Sequence, residues 1–330
     1  MEDSGRRGHL IGAGAGTAAG LIWGLAFLLP VLLPGWSPVA VTVGRYLAYG
    51  AVSVVLFAFG GRALWRLLRR HWQVALAFAM AGNVLYYLLL VLGIQLVGAP
   101  VTDIVIGCIP VTVALAGNAL YGAYRWRSLI LPVTLVAAGL ALVNVLELSG
   151  AAATEDRPPG LKLLGLLAVF GAVILWTWYG LANARFLTRH PDVPGAGWST
   201  VIGLGTGAIT LVGLPVAALT GQLTPSPSER TPSLAAFAVA ALVLGIVVSW
   251  AATGLWNVAS ARLSPTAAGM LINVETVAGF TYIYVARGEW PPLGQVAGFA
   301  LILIGVLQVV RLPAMESRTT GGRLRRAALL

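Results

Sequence analysis

Apolar runs along this chain fall near residues 10–32, 38–60, 72–94, 100–122, 128–146, 161–183, 197–219, 234–256, 264–286 and 292–312. Each supplies the roughly 20 residues that a helix needs to cross about 30 Å of hydrocarbon. The pattern predicts an all-α integral membrane protein of ten transmembrane helices. The first run is too long for a secretory signal, and no small-residue cleavage site follows it, so it is expected to remain as a span. Most connections are short. The two longer ones, SGAAATEDRPPG and TGQLTPSPSERTPS, are rich in Pro, Ser and Gly, which argues against a folded domain outside the membrane.

The runs also repeat weakly. GAPVTDIVIGCIPVTVALAGNALYG (98–122) resembles LSPTAAGMLINVETVAGFTYIYVAR (263–287), and a shift of 166 residues places Pro110 on Thr276 and Gly139 on Gly305. This predicts two five-helix halves. Because five is odd, the second half enters the membrane from the opposite side, as inverted repeats of secondary transporters do. The expected organisation is an N-terminus at 1–9, a first half at 10–146, an outer linker at 147–160, a second half at 161–312 and a basic tail at 313–330.

Composition agrees with the pattern: 58% of the 330 residues are hydrophobic and 10% charged, with mean hydropathy +0.87. A soluble domain carries about 25% charged residues. The net charge of +10 raises the question of nucleic acid, but the positive residues lie in short clusters between apolar runs rather than on one continuous basic surface, so no nucleic-acid partner is expected. The clusters at 6–7, 62–70, 125–127, 185–189 and 311–326, with Arg262, fall on one side of the membrane. The other side holds only Arg157, Lys162, Arg230 and Arg287. Both termini are therefore expected in the cytoplasm. Lys162 is the single lysine among many arginines, a bias that suggests a bacterial inner membrane. The tail reads as a disordered topology determinant rather than a headgroup-binding segment. The lone Cys108 reads as a small buried hydrophobe with no redox or metal partner.

Charges inside the spans are the candidate chemistry. Glu275 is the only charge between Thr266 and Ala286. An acid at the bilayer centre costs roughly 2.5–3.5 kcal/mol, so it either carries a proton or binds a cationic group, or it is a structural acid held by a neighbouring helix. Leu271, Glu275, Gly279 and Tyr282 share one helical face; Gly279 would leave room beside the acid, and Asn273 lies near it. Arg45 is the only cation within a span. It is open to pairing with Glu275 or Asp103, to binding an anionic solute, or to snorkelling. Asp103 reads first as a cap in the opening turn of the fourth span. Pro110, below Gly107 and Asp103 on that helix, removes one backbone hydrogen bond and predicts a kink suited to a gate.

Aromatic and amide residues recur at helical spacing: Asn83 and Tyr87 in span three, Trp176 and Tyr179 in span six, Trp250 and Asn257 in span eight. Such stripes suit either a moderately polar organic solute or helix-to-helix hydrogen bonding. Trp36, Trp256 and Trp290 read as interfacial belt residues. His9, His71 and His190 sit at termini or loops, so neither a metal centre nor a His-based nucleophile is expected. No Walker loop is present, and GAGAGTAAG (12–20) lacks the strand that a dinucleotide site needs. No cofactor and no enzymatic activity are expected.

LIWGLAFLLPVLLPGWSPVAVTVGRYLAYG (21–50), with Trp23-Gly24, the Ser-Pro turn at 37–38 and Arg45, resembles the opening of the EamA-type branch of the drug/metabolite transporter superfamily. LSPTAAGMLINVETVAGFTYIYVARGE (263–289), with Glu275 and Gly288-Glu289, is similar to that family's ninth helix. The resemblance covers about 10–312. It departs at Thr276, where a proline is usual, and at 121–124, where an acid closing the fourth helix is missing. It implies a central substrate site between the halves, gated by helices three, four, eight and nine. The expected function is a secondary transporter of a small organic metabolite, with export of amino acids or related compounds favoured, working by alternating access with Glu275 as a protonatable centre. The alternative is a non-transporting membrane protein, such as a scaffold or lipid-handling factor. The expected partners are the solute and the lipid bilayer, with a homodimer left open.

Overall fold

The computed structural model describes residues 2–150, 158–225 and 231–312. The tail at 313–330 and residues 151–157 of the linker at 147–160 lie outside the described residues. Ten helices are long and apolar enough to cross a membrane: α1 (Arg6–Leu29), α2 (Pro38–Phe59), α3 (Gly61–Val97), α4 (Ile104–Tyr121), α5 (Trp126–Val143), α6 (Pro159–Arg189), α7 (Gly195–Leu219), α8 (Leu234–Arg262), α9 (Pro265–Arg287) and α10 (Leu293–Arg311). The described residues contain no strand. Helix α3 starts about three turns of mixed charge and tryptophan before the apolar run at 72–94, and α6 runs past 183. Hydropathy locates where lipid touches the helix, not where backbone hydrogen bonding stops.

Local chemistry sets the ends. The Ser-Pro pairs at 37–38 and 264–265 open α2 and α9: Ser37 Oγ accepts from the Ala40 N–H at 3.0 Å and Ser264 Oγ from Ala267 N–H at 3.2 Å, with the proline in the first turn. Ser233 does the same for α8. Helices α4 and α9 close on Gly122 and Gly288, both left-handed (φ 63 and 66), the conformation in which a Cβ is costly.

Five helices are not regular throughout. Helix α1 is interrupted at Gly24, between Trp23 and Leu25. Helix α3 is π-helical at Met80–Val84 and α8 at Val243–Ala251. Around α4 the chain is helical from Ala99 to Ile106 and again from Ile109 to Tyr121, with Pro110 in the first turn of the second piece. Helix α9 divides into Pro265–Leu271 and Asn273–Arg287. The shift of 166 residues carries the π segment of α3 into that of α8, the break before Pro110 onto the one at Ile272, and Gly122 onto Gly288.

The helical piece before α4 begins at Ala99 and has no acid in its first turn, so the backbone of Asp103 falls just beyond the position where a cap would act. Its side chain lies outside the described residues. Cys108 corrects an expectation as well: it is exposed at the break, where its Sγ donates to Ile104 O at 3.5 Å.

Packing pairs the helices across the chain. Helix α1 packs most extensively on α8, α2 on α7, α3 on α6, α4 on α9 and α5 on α10. Adding five to every helix number returns the same set of pairs. The closest approaches are made by glycine. A Cβ on Gly207 would lie 2.6 Å from Gly50 Cα, and one on Gly50 2.7 Å from Gly207 Cα. Between α5 and α10, Gly139 meets Gly298 O and Ile302, while Gly305 meets Pro132 O and Val136, an exchange that the same shift of 166 maps onto itself.

Buried amides tie α6, α7 and α8 together. Asn183 donates Nδ2 to Asn257 Oδ1 at 2.9 Å, Trp198 Nε1 donates to Asn183 Oδ1 at 2.8 Å, and Asn257 Nδ2 donates to Gly195 O at 3.1 Å. In a bilayer such groups have no water to fall back on.

Two outcomes follow for stability. Gly207→Ala is expected to lower the melting temperature, costing about 1–3 kcal/mol because backbone must move, whereas Gly213→Ala, whose Cβ meets nothing within 4 Å, should leave it level or raised. Equal shifts for the two variants would show that the α2–α7 crossing is not set by glycine. Asn183→Ala strands the Trp198 indole N–H and the Asn257 amide, and should cost about 1–3 kcal/mol in a denaturation assay. A melting curve superimposable on that of the unaltered protein would remove the network from the stability account.

Candidate functional site

A cavity of about 190 Å³ lies between α1, α2, α3 and α8, lined by Ala26, Trp36, Pro38, Val41, Thr42, Arg45, Tyr87 and Leu244. Of the lining residues only Pro38, in the first turn of α2, is exposed. The walls there are fixed by hydrogen bonds to backbone. Tyr87 donates its hydroxyl to Pro38 O at 2.7 Å, Trp36 Nε1 donates to Pro232 O at 3.2 Å, and Ser37 Oγ donates to Gln222 O at 2.5 Å. The Trp36 ring also stacks on Phe237, with centroids 4.1 Å apart, so this tryptophan belongs to the cavity wall as well as to the membrane boundary. Trp290, 94% exposed, has the surroundings expected of a belt residue.

Arg45 supplies the charge in the lining. Its Nε donates to Ser249 Oγ at 2.8 Å, and its guanidinium carbon lies 5.5 Å from the Tyr46 ring centroid. Glycine at 245 lets α8 come this close: a Cβ there would meet Arg45 O at 2.7 Å. Ser249 sits in the π segment of α8, where the wide turn of backbone presents it to α2. Glu275, partly buried in α9, interacts electrostatically with Arg45, while the Arg45 Nε–H goes to Ser249 rather than to the acid. Glu275 follows directly on the α9 break, its N–H bonded to Ile272 O at 2.9 Å.

The α9 face carrying Glu275 is held against α1. A Cβ on Gly20 would meet Val274 and the Glu275 backbone N–H, one on Gly24 would meet Ala278 and Gly279, and one on Gly279 would meet the Phe27 ring at 2.7 Å. Gly279 therefore seats Phe27. Tyr282 donates its hydroxyl to Leu21 O at 3.1 Å, fastening the same two helices. Asn273 is buried and donates to Met270 O at 2.9 Å, just ahead of the break.

The remaining candidates form two groups away from the cavity. Rings of Trp23, Trp256, Trp176 and Tyr179 follow one another at 5.5, 6.3 and 5.8 Å, running from α1 through α8 to α6. Trp256, expected in the interfacial belt, is 2% exposed at the centre of this row. Its place near the end of the apolar run suggested the boundary, but α8 continues to Arg262 and draws it inside. Hydrogen bonding organises the second group. Asn83 Nδ2 donates to Thr206 Oγ1 at 2.9 Å, Trp250 Nε1 to Thr200 Oγ1 at 3.0 Å, and Asn257 belongs to the amide network. Gly107 and Pro110 flank the break at α4.

Sequence reasoning missed Ser249, Thr42, Trp36 as a wall residue, and Leu244. A signal for Ser249 was present: the shift of 166 places it on Asn83, and both are the polar residues of their π segments. His71 and His190 do come together, with ring centroids 4.8 Å apart, but no group of three or more metal-ligating side chains exists among the described residues.

Residues 163–311 match the EamA-like transporter family. Over 299 residues the chain is 35% identical to the inner membrane protein YtfF of Escherichia coli (strain K12), covering 89% of this chain and 92% of that protein. A solved crystal structure of another protein superposes with a TM-score of 0.72 at 20% identity, covering 92% of this chain and 97% of that one, and so shares the fold. Ten apolar helices, a partly polar cavity among them, and a relative similar along nearly its whole length agree: this multi-pass inner-membrane protein belongs to the EamA-like transporter family of the drug/metabolite transporter superfamily.

Proposed function

We propose that the protein is a secondary transporter of two inverted five-helix halves that carries a small carboxylate-bearing metabolite, with amino acids and related compounds favoured and export the favoured direction. The observation that carries the reading is Arg45 in the wall of the cavity. A guanidinium has five N–H donors. Ser249 takes the Nε–H, leaving the fork of terminal nitrogens, whose geometry matches a carboxylate. Glu275, in electrostatic reach of that guanidinium, complements an amine on the same solute or carries a proton in its place. The cavity of about 190 Å³ has room for about six waters at ~30 Å³ each, the size of a small metabolite.

Arginine placement supports cytoplasmic termini, which puts the Pro38 end of α2, the exposed part of the cavity lining, outside. At the opposite end the helices are tightly apposed: Gly12 and Gly16 of α1 press on Arg262, Leu263, Ala259 and Leu271, and Gly117 of α4 on Pro265 and Thr266. The structure then corresponds to an outward-facing member of an alternating-access cycle. The breaks in α4 and α9 and the π segments of α3 and α8 are the places where those helices can bend, which agrees with gating by these four. The pairing that is unchanged on adding five, and the features related by 166 residues, support the two-half architecture with boundaries at 10–146 and 161–312.

In proteoliposomes, Arg45→Gln should cut flux and solute-induced thermal stabilisation about tenfold or more, the scale of one lost charged hydrogen bond, and a methyl ester of any active solute should fail on the unaltered protein. An ester that binds as well as the acid sinks the carboxylate assignment. Glu275→Gln imitates the permanently protonated side chain. It is expected to abolish flux driven by a pH gradient while sparing solute exchange at equal pH; unchanged pH dependence would remove the acid from proton coupling.

A further inference from the structure

Helix α3 is 37 residues long. At 1.5 Å per residue it measures about 55 Å, against about 30 Å of hydrocarbon, so part of it must lie outside the apolar layer. The backbone marks the division at His71, where φ −130 and ψ 16 leave the helical range. Before it, α2 ends at Phe59, and the chain turns on Gly60 and the left-handed Gly61 (φ 61). The segment from Gly61 to Arg70 therefore begins at the level where α2 leaves the membrane.

Its faces are sorted. Arg62, Arg66, Arg69 and Arg70, spaced i, i+4, i+7 and i+8, share one side of the helix, and all four are exposed. Opposite them, Leu67 and Leu68 pack against the buried cluster around Trp198, and Leu64 and Leu67 lie over Gly197. On the flank, Trp65 and Trp72 are each 51% exposed, and Trp65 meets the Phe57 ring near the end of α2 at 6.0 Å. Arg66 Nε donates to Arg62 O at 3.3 Å; among the described residues no acid is paired with this row of guanidinium groups. One side is spent on protein, a tryptophan edge suits the headgroup level of a bilayer, and one side presents only positive charge.

We propose that the Gly61–Arg70 helix is a binding site for anionic phospholipid, with the Arg62, Arg66, Arg69 and Arg70 guanidinium groups holding the headgroup phosphates. Guanidinium and phosphate match as two-point partners. The flanking tryptophans favour a lipid surface over an acidic soluble peptide, which would leave their apolar rings in water. The site stands apart from the cavity and does not depend on which solute is carried. Through Leu64, Leu67 and Leu68 it would anchor the α3–α7 contact to the bilayer surface.

The test titrates phosphatidylglycerol or phosphatidylcholine into the detergent-purified full chain and counts retained lipids by native mass spectrometry. Arg66→Gln/Arg69→Gln keeps two arginines of the cluster, so that the positive-inside bias persists. Each arginine near an anionic surface contributes roughly fivefold in affinity, so the double variant should bind phosphatidylglycerol at least about tenfold more weakly, with Arg66→Lys/Arg69→Lys retaining most of the binding and added salt weakening it. Melting in phosphatidylcholine alone should be unchanged by either pair. The proposal is overturned if the Gln variant retains phosphatidylglycerol as the unaltered protein does, if phosphatidylcholine binds equally, or if the Gln variant melts early in phosphatidylcholine. Displacement of the lipid by glycerol 3-phosphate at matched concentration would overturn it too, since the site would then read a free phosphate.

Discussion

Hydrocarbon offers backbone N–H and C=O groups no partner, and an unsatisfied one costs several kcal/mol. The π segments of α3 and α8 and the breaks in α4 and α9 are arranged around that constraint. Where α3 turns π-helical, Asn83 O accepts from the Tyr46 hydroxyl at 3.3 Å; where α8 does, Trp250 O accepts from Ser199 Oγ at 2.8 Å. In each case the hydroxyl comes from the helix that precedes the last one of the pair, α2 in one half and α7 in the other. At the α4 break Thr112 Oγ1 returns to Ile109 O and Cys108 Sγ to Ile104 O, and at the α9 break Asn273 Nδ2 returns to Met270 O. At these four places irregular backbone has a side chain placed to meet it. Those irregular places are also where Ser249 and Glu275 are presented toward Arg45.

A second constraint acts on distance. Lipid tails are as apolar as leucine, so helices associate by close packing rather than by hydrophobic expulsion. Glycine at 50, 207, 139, 298 and 305 brings the α2–α7 and α5–α10 backbones nearly into contact. These two pairs lie at positions that the five-helix exchange maps onto themselves, where each helix meets its own counterpart. A large side chain there would have to clash with its own equivalent, which is a physical reason for small residues at such crossings.

This account explains what could be read from the chain and what could not. Ten spans were legible because each needs about 20 apolar residues and few sequences supply them otherwise. Arg45 and Glu275 stood out because isolated charges in apolar runs are costly. The π segments were invisible: one extra residue per turn changes neither composition nor the apolar count in a window. Helix α8 therefore gave no hint that it presents Ser249 to Arg45, although the repeat, followed residue by residue from Asn83, reaches it. Trp256 was misplaced because a hydropathy boundary was taken for a membrane boundary. The wall built from Trp36, Thr42 and Leu244 depends on how α1, α2 and α8 cross, and that is a tertiary fact no local window contains.

The candidate site lies where the features related by the repeat stop being alike. The α3 and α8 π segments correspond, with Asn83 in one and Ser249 in the other, and each bonds a side chain from the partner half's second helix: Thr206 in the first case, Arg45 in the second. In the α2–α7 pair the offset is 157 rather than 166, since α2 begins at Pro38 and α7 at Gly195 and Gly50 meets Gly207; the position corresponding to Arg45 is then Ile202, which is fully buried in the apolar cluster with Phe78 and Trp198. One side of the molecule is therefore closed by a neutral hydrogen bond and apolar packing, while the equivalent side holds a cation, a cavity and an acid that interacts electrostatically with that cation. A symmetric pair of neutral contacts would give two equivalent closures and no preference for any charged group. A cation in place of isoleucine breaks that equivalence, so the shared architecture provides the crossings and bends, and on the proposed reading the departure from symmetry provides the charge that a solute would meet.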